Sequence, residues 1–291
     1  VIKKLVIFGV GLIGGSLALA LRKAGYCDTI VGCSRSADNL QQAVDLGVID
    51  SFTLDPQAAV RGADMIFLAV PIGAMRAVLE QIGPALEPDA VLTDGGSAKT
   101  AIVEAAQAVL SDEAMKRFVP GHPIAGRERS GVEAALVDLY AGRRVILTPL
   151  PETDTDAVRK VDAMWRATGA VVEEMPMALH DEVLAATSHL PHVLAFSLVD
   201  TLLGMPQRED ILRYAAGGFK DFTRIASSDP VMWRDICLHN SAAILEMIAA
   251  MQTNLGEFAE LIRVQNGDSL LQRMESSKQA RDRYVAQLDA G

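Results

Sequence analysis

Six residues near the start of the chain, Gly9-Val10-Gly11-Leu12-Ile13-Gly14, constrain its fold more than any other feature. They close an apolar run, Leu5–Val10, and lead into Leu17–Ala24, where apolar residues recur at helical spacing. Strand, glycine turn and helix in that order form the opening of a βαβ unit. The first glycine permits a tight turn and the second lets backbone approach a phosphate. The helix N-terminus adds unpaired N–H groups and a partial positive charge. The expected ligand is the pyrophosphate of a dinucleotide, lying against Gly9, Gly11, Leu12, Ile13 and Gly14.

The next 160 or so residues repeat the same alternation. Short β-rich runs occur at Thr29–Gly32, Met65–Val70, Val91–Asp94, Phe118–Gly121, Arg144–Thr148 and Ala170–Glu174. Most are continuously apolar, as strands covered on both faces must be. Helical segments such as Ala74–Ile82 and Thr100–Leu110 separate them. The pattern predicts an α/β fold, a Rossmann-type doubly wound parallel sheet. After Met175-Pro176 no strand run appears, and long stretches such as Val231–Arg263 read as helix. Pro191 and Pro230 sit where a first helical turn tolerates proline. Residues 1–176 are expected to form the dinucleotide-binding domain, and 177–291 an all-helical domain for substrate binding and dimerisation.

The charge balance narrows the partners. A net charge of −10 and a pI near 5.0 argue against nucleic acid, which requires a basic surface. No uninterrupted apolar run approaches the roughly 20 residues of a membrane span, and Val1–Val6, with Lys3 and Lys4, reads as a strand rather than a signal peptide. Cys27, Cys33 and Cys237 form no CxxC pair and read as thiols of a reducing compartment. The expectation is a cytoplasmic protein acting on a small molecule.

The end of the second run selects between cofactors. NAD-binding chains usually carry Asp or Glu about 20 residues past the glycine motif, to hold the ribose 2′-hydroxyl. Here the segment reads Cys33-Ser34-Arg35-Ser36. It has no carboxylate to repel a 2′-phosphate, and Ser34, Arg35 and Ser36 offer hydroxyl and guanidinium donors. NADP is the expected cofactor, with NAD possible; a polar loop bearing a solvated arginine is the plainer alternative. Val70 and Pro71, closing the Met65–Val70 run, are further expected cofactor contacts.

Two later loops fall where strand ends should gather around the cofactor: Asp94-Gly95-Gly96-Ser97-Ala98-Lys99-Thr100 and Gly121-His122-Pro123-Ile124-Ala125-Gly126-Arg127-Glu128. A histidine there can take the proton of an alcohol as its hydride leaves. Taken alone, His122 could equally cap a turn. The strings GVGLIGGSLA, DGGSAKT, GHPIAGRERSG, TSHLPHVLA and GGFKDFTRIASSDPVMW, in order from Gly9 onward, resemble the prephenate and arogenate dehydrogenases. The resemblance implies NAD(P)-dependent oxidation of a cyclohexadienyl acid with loss of carbon dioxide. It implies that His122 is the catalytic histidine at the ring hydroxyl, with Ser97 near that hydroxyl and the nicotinamide. His189 and His192 would lie near the substrate, Arg224 would bind a substrate carboxylate, and Trp233 would stand close by. Glu128 and Asp221 would shape access to the pocket, and Arg127 occupies a position linked to substrate choice.

Plainer roles stand beside these. His189 and His192 could be satisfied helix-end histidines; no Cys, Asp or Glu at ligand spacing makes them a metal site. Trp233 could be core and Arg224 a surface arginine. A β-hydroxyacid or imine-type reductase shares the two-domain plan, and an NADP-binding redox sensor without turnover would share the glycine motif. Apolar residues of Val231–Arg263 exceed one helical stripe, so a homodimer is expected to cover them.

Overall fold

The computed structural model describes residues 1–127 and 129–289. It contains two compact units, Val1–Ile244 and Leu245–Gly291. In the first, β1 (Ile2–Phe8), β2 (Cys27–Cys33), β3 (Ser51–Thr53), β4 (Met65–Leu68), β5 (Val91–Asp94) and β6 (Phe118–Val119) form a parallel sheet. Their order, β3-β2-β1-β4-β5-β6, reverses between β1 and β4. A crevice opens at the carboxyl ends of the strands at such a point.

Alternation along β1 builds both sides of the core. Leu5 and Ile7 enter one apolar cluster with Trp165, Phe67 and Leu17. Val6 and Phe8 enter the other with Met75, Ile102 and Phe118. Both faces are covered by helices, which is why the run shows no polar alternation. Each such side chain contributes about 1.5–3 kcal/mol on burial, so this sheet is a rigid base for whatever its upper edge carries.

The structure corrects the sequence reading in four places. Phe118–Gly121 is not one strand. Pro120 lacks the N–H that a ladder needs, and the chain leaves the parallel sheet there. A second sheet then starts with β7 (Gly121–Pro123), which pairs antiparallel with β8 (Arg144–Leu147), itself parallel to β9 (Val171–Glu174). The runs at 144–148 and 170–174 thus belong to this smaller mixed sheet. β3, with three residues, was too short to show a pattern.

The remaining two corrections concern helices. Helix runs without interruption from Met177 to Leu203, with a π-helical turn at Ala185–His189. Pro191 therefore lies inside a continuous helix rather than at a start. It has no N–H for the carbonyl four residues back, and the wider turn preceding it accommodates the lost bond. The stretch 231–263 is two helices, Pro230–His239 and Ser241–Arg263. They break at Asn240, whose side-chain amide donates to the Asp181 carbonyl at 2.9 Å. In the second unit, Arg273 pairs with Glu257 at 2.7 Å and lies 4.8 Å from the Phe258 ring centre. Leu255, Ile262, Leu271, Met274 and Tyr284 are each more than half exposed.

Candidate active site

The glycine turn has the form of a phosphate cradle. Gly9 sits at φ +88°, and a Cβ there would meet the Ala69 carbonyl oxygen at 2.4 Å. A Cβ on Gly14 would lie 2.2 Å from the Gly9 oxygen and 2.7 Å from Ile7 Cγ2, so only glycine lets the Leu12–Lys23 helix pack this closely on β1. Gly11, by contrast, faces open space: nothing lies within 4 Å of its Cβ position. No side chain caps this helix, which leaves its first N–H groups for an anion. These features fit a dinucleotide pyrophosphate.

The other expected cofactor contacts surround the turn. Leu12 and Ile13 open the helix, and the Tyr140 hydroxyl donates to the Ile13 carbonyl at 2.7 Å. Val70 follows β4, its nitrogen 3.3 Å from the Gly9 Cβ position, and Pro71 precedes the Ile72–Ile82 helix. Ser34, Arg35 and Ser36 follow β2, whose last residue, Cys33, accepts the Gly9 N–H at 3.1 Å. The Ser36 hydroxyl accepts the Asn39 N–H and caps the Ala37–Asp45 helix; Ser34 donates to the Ser36 carbonyl at 3.3 Å. Arg35 is exposed at the same rim. Ser97 is half-buried between β5 and the Lys99–Gln107 helix, and its loop reaches the glycine turn, with Ile13 Cγ2 3.3 Å from the Gly95 Cβ position.

Beside this cradle lies a buried polar cluster. His122, on β7, is 8% exposed, and its Nδ1 is 2.9 Å from Nε2 of His180. Nδ1 of His180 is 2.8 Å from Asp181 Oδ1. Asp181 also accepts the Lys99 N–H on Oδ1 and the Thr100 N–H on Oδ2, both at 2.8 Å. Lys99, fully buried, pairs with Asp94 and donates to the Gly121 carbonyl at 2.6 Å. Asp94 accepts the Gly96 and Gly121 N–H groups at 2.8 and 3.1 Å. Two strand ends, one helix start and the Met177–Leu184 helix are thereby tied together.

Burial dominates the electrostatics. It holds the His122 imidazole well below its ordinary value near 6.5; His180, Lys99 and His189 push it the same way and Asp181 opposes them. His122 is therefore neutral at neutral pH. Burial pushes the Asp181 carboxyl up, but its hydrogen bonds from His180, Thr100 and Lys99 outweigh that and hold it below the carboxylate range. Burial also lowers Lys99, with Asp94 opposing, and lowers His189 to about 4.

The π turn brings His189 into this cluster, and the next turn of helix brings His192. Asn240 gives one N–H to Asp181 and the other to Nδ1 of His189 at 3.1 Å. That leaves the proton of neutral His189 on Nε2. Nε2 of His189 and Nε1 of Trp233 are both buried without a hydrogen-bond partner among the described residues. Trp233 stacks on His192, ring centres 3.7 Å apart, and also packs with Ile236 in the core, the plainer of the two roles weighed in the sequence. His192 gives its Nδ1 proton to the Ser188 carbonyl at 2.9 Å. Arg224 is exposed and opens a 3-10 turn, Arg224–Ser227, that packs on the Leu190–Leu203 helix. Glu128 lies outside the described residues.

Four participants, Asp94, Lys99, His180 and Asp181, escaped sequence reasoning, as did Asn240. The signal was slight: a His-Asp pair just past Met175-Pro176 and a lysine two residues after Ser97.

Comparison with known proteins places this geometry in context. Residues 17–174 match the family model for the nucleotide-binding domain of prephenate dehydrogenase, and residues 176–276 match that family's dimerization domain. The chain is 38% identical to a cyclohexadienyl dehydrogenase of Zymomonas mobilis subsp. mobilis, covering 97% of this chain and 96% of that one. It is 36% identical to a prephenate dehydrogenase of Bacillus subtilis, covering 94% and 74%. The crystal structure of prephenate dehydrogenase from A. aeolicus, in complex with hydroxyphenyl propionate and NAD+, superposes with a TM-score of 0.90 at 41% identity, covering 96% and 97%.

Proposed function

The chain belongs to the prephenate dehydrogenase family, and we propose on that footing that it is a dehydrogenase oxidising prephenate, arogenate or both, with release of carbon dioxide. The observation that carries this reading is the buried, neutral His122 beside a pyrophosphate cradle at the sheet's switch point. In this reading His122 accepts the ring-hydroxyl proton through Nε2 while the carbon bearing that hydroxyl loses hydride. The bound nicotinamide supplies the hydride acceptor. The ring is then a dienone with a carboxylate on the opposite carbon. The C–CO2 bond breaks, its electron pair aromatises the ring, and His122 returns its proton to the phenolate oxygen. The products are a phenol, carbon dioxide and reduced cofactor, so protons and electrons balance.

Ser97 would hydrogen-bond the same hydroxyl. His189 and Trp233 each present a buried N–H without an acceptor among the described residues, a state costing about 1–3 kcal/mol per group, which supports a substrate oxygen as their partner. His192 fixes Trp233 by stacking. Arg224, on the turn beside the His192 helix, would hold a substrate carboxylate, and Glu128 would shape the entrance. A β-hydroxyacid or imine reductase is not favoured by the family match.

The cofactor we infer is NADP, with NAD also used. Ser34 and Ser36 stiffen the turn after β2, and the exposed Arg35 would meet a 2′-phosphate there. Assays supplying prephenate and arogenate in turn, each with NADP and NAD, test the function through the absorbance of reduced nicotinamide. No substrate-dependent rise with either acid would refute it. Arg35→Ala is expected to narrow the NADP-over-NAD ratio by about one to two powers of ten, because one charge-assisted contact is lost. An unchanged ratio would place the discrimination elsewhere.

Two further readings belong to the same proposal. We place the boundary between nucleotide and helical domains at 176, a reading supported by one family match that ends at 174 and another that begins at 176. The helical domain pairs with a second copy in a cytoplasmic homodimer. Of the apolar residues in Ser241–Arg263 only Ile244 is buried, and much of the apolar Met177–Leu203 helix also faces outward. One chain leaves these surfaces uncovered, as a two-fold interface would require.

A further inference from the structure

We propose that His180 and Asp181 are positioning residues that fix the tautomer of His122, presenting its Nε2 as an unprotonated atom. The inference rests on the reading of His122 as the base and assigns the groups that make it one. A neutral imidazole carries one proton on two nitrogens, and a base is useful only where the lone pair faces the substrate.

The chain of donors runs one way. Asp181 is a carboxylate held at the N-terminus of the Lys99–Gln107 helix, accepting from the Lys99 and Thr100 N–H groups at 2.8 Å each. An ionised carboxylate has no proton to give, so at the 2.8 Å contact His180 must donate from Nδ1. His180 is wholly buried, and burial pushes its imidazole down from its ordinary value, so it carries that one proton alone. Its Nε2 is then an acceptor. The 2.9 Å contact with His122 Nδ1 requires a proton on that nitrogen, and the only remaining position on neutral His122, Nε2, is bare. The rings meet edge-on, 5.1 Å apart at 65°, as an in-line hydrogen bond requires and a stack does not. Both histidines thus hold the Nδ1–H form, the less common one for a free imidazole.

The same relay serves the step itself. When His122 takes a proton on Nε2 it becomes a cation, and the Asp181 charge, transmitted through His180, stabilises it. A helix-capping role alone would explain the two backbone bonds to Asp181. It would leave the His180 contacts without purpose.

Two substitutions separate the roles. In His180→Gln the side-chain amide can donate to Asp181 through its nitrogen and accept from His122 through its oxygen, keeping the polarity of the relay without an imidazole. His180→Met fills similar volume with no polarity. The expected result is a kcat about 10²–10³-fold lower for His180→Met, below the 10⁴-fold effect of a wrong tautomer in a serine-protease triad because the lock acts through one more residue. His180→Gln should lose no more than about tenfold, and NADP affinity should be unchanged in both. A Met variant with near wild-type kcat, or a Gln variant as slow as the Met variant, would overturn the proposal.

A spectroscopic measurement reads the tautomer without turnover. Long-range proton–nitrogen correlation on 15N-histidine-labelled wild-type protein with NADP bound, at slightly alkaline pH, resolves the chain's five histidines. The signals of His122 and His180 are assigned by their loss in the variants. Both should show Nδ1 protonated and Nε2 bare; a proton on Nε2 of His122 would overturn the lock. If that pattern appears in a protein that oxidises neither acid, the functional reading fails and the lock stands. An active enzyme with the opposite tautomer would overturn the lock and leave the functional reading standing.

Discussion

His122→Asn should bind NADP as tightly as the wild type and turn over about 10²–10⁴-fold more slowly, the usual contribution of a positioned general base. Asparagine is smaller than histidine and keeps a polar group near His180, so β7 and the ladder to Ile146 should survive. It has no lone pair basic enough to accept the ring-hydroxyl proton. The wild-type pH profile supplies a second check. His122 acts as a base only when unprotonated, and its folded value is held well below 6.5 by burial. Activity should therefore persist as pH falls through 6.5 and fade only as it passes through the lowered value. An acid limb of kcat/KM at or above 6.5, or near-normal turnover in the asparagine variant, would remove His122 from this role.

What the sequence made legible follows the range of the forces involved. The glycine motif was readable because backbone sterics act locally: Gly9 takes a positive φ, and a Cβ on Gly14 would strike the Gly9 oxygen five residues earlier. The doubly wound parallel sheet was readable from continuous apolar runs, since strands buried on both faces leave no other pattern, but β3 and the second sheet were not. The split at Pro120 was also local, and the proline was visible, but the apolar residues around it masked the change of sheet. The helix break at Asn240 was not visible, because it depends on a bond to Asp181, 59 residues earlier.

Within the site, His122 stood out by its motif, whereas His180 and Lys99 did not. Their roles come from neighbours 58 and 22 residues away, brought together only by the tertiary fold. Sequence reasoning therefore found the residues whose signature is chemical type plus motif. It missed those whose function is to hold another residue in place.

Lys99 offers the largest stability effect among these hidden residues. Its Nζ is fully buried, paired with Asp94 and bonded to the Gly121 carbonyl. Lys99→Met keeps most of the volume and removes the charge, leaving Asp94 ionised in the interior with only the Gly96 and Gly121 N–H groups. Breaking a buried pair from one side costs about 3–5 kcal/mol, so the urea midpoint should fall steeply with little change in slope. The double variant Asp94→Asn/Lys99→Met should recover part of the loss, since the stranded charge leaves with its partner. The sign with pH is fixed as well. An unpaired buried carboxyl has its folded pKa raised above the unfolded value near 3.9. The penalty for keeping it ionised is thus full above that raised value and relieved as pH falls through it. The gap between variant and wild type should accordingly be wider at pH about 8 than at about 5. A Lys99→Met protein within about 0.5 kcal/mol of wild type at both pH values, the range of a neutral surface change, would mean that the pair does not hold the two loops of the site together.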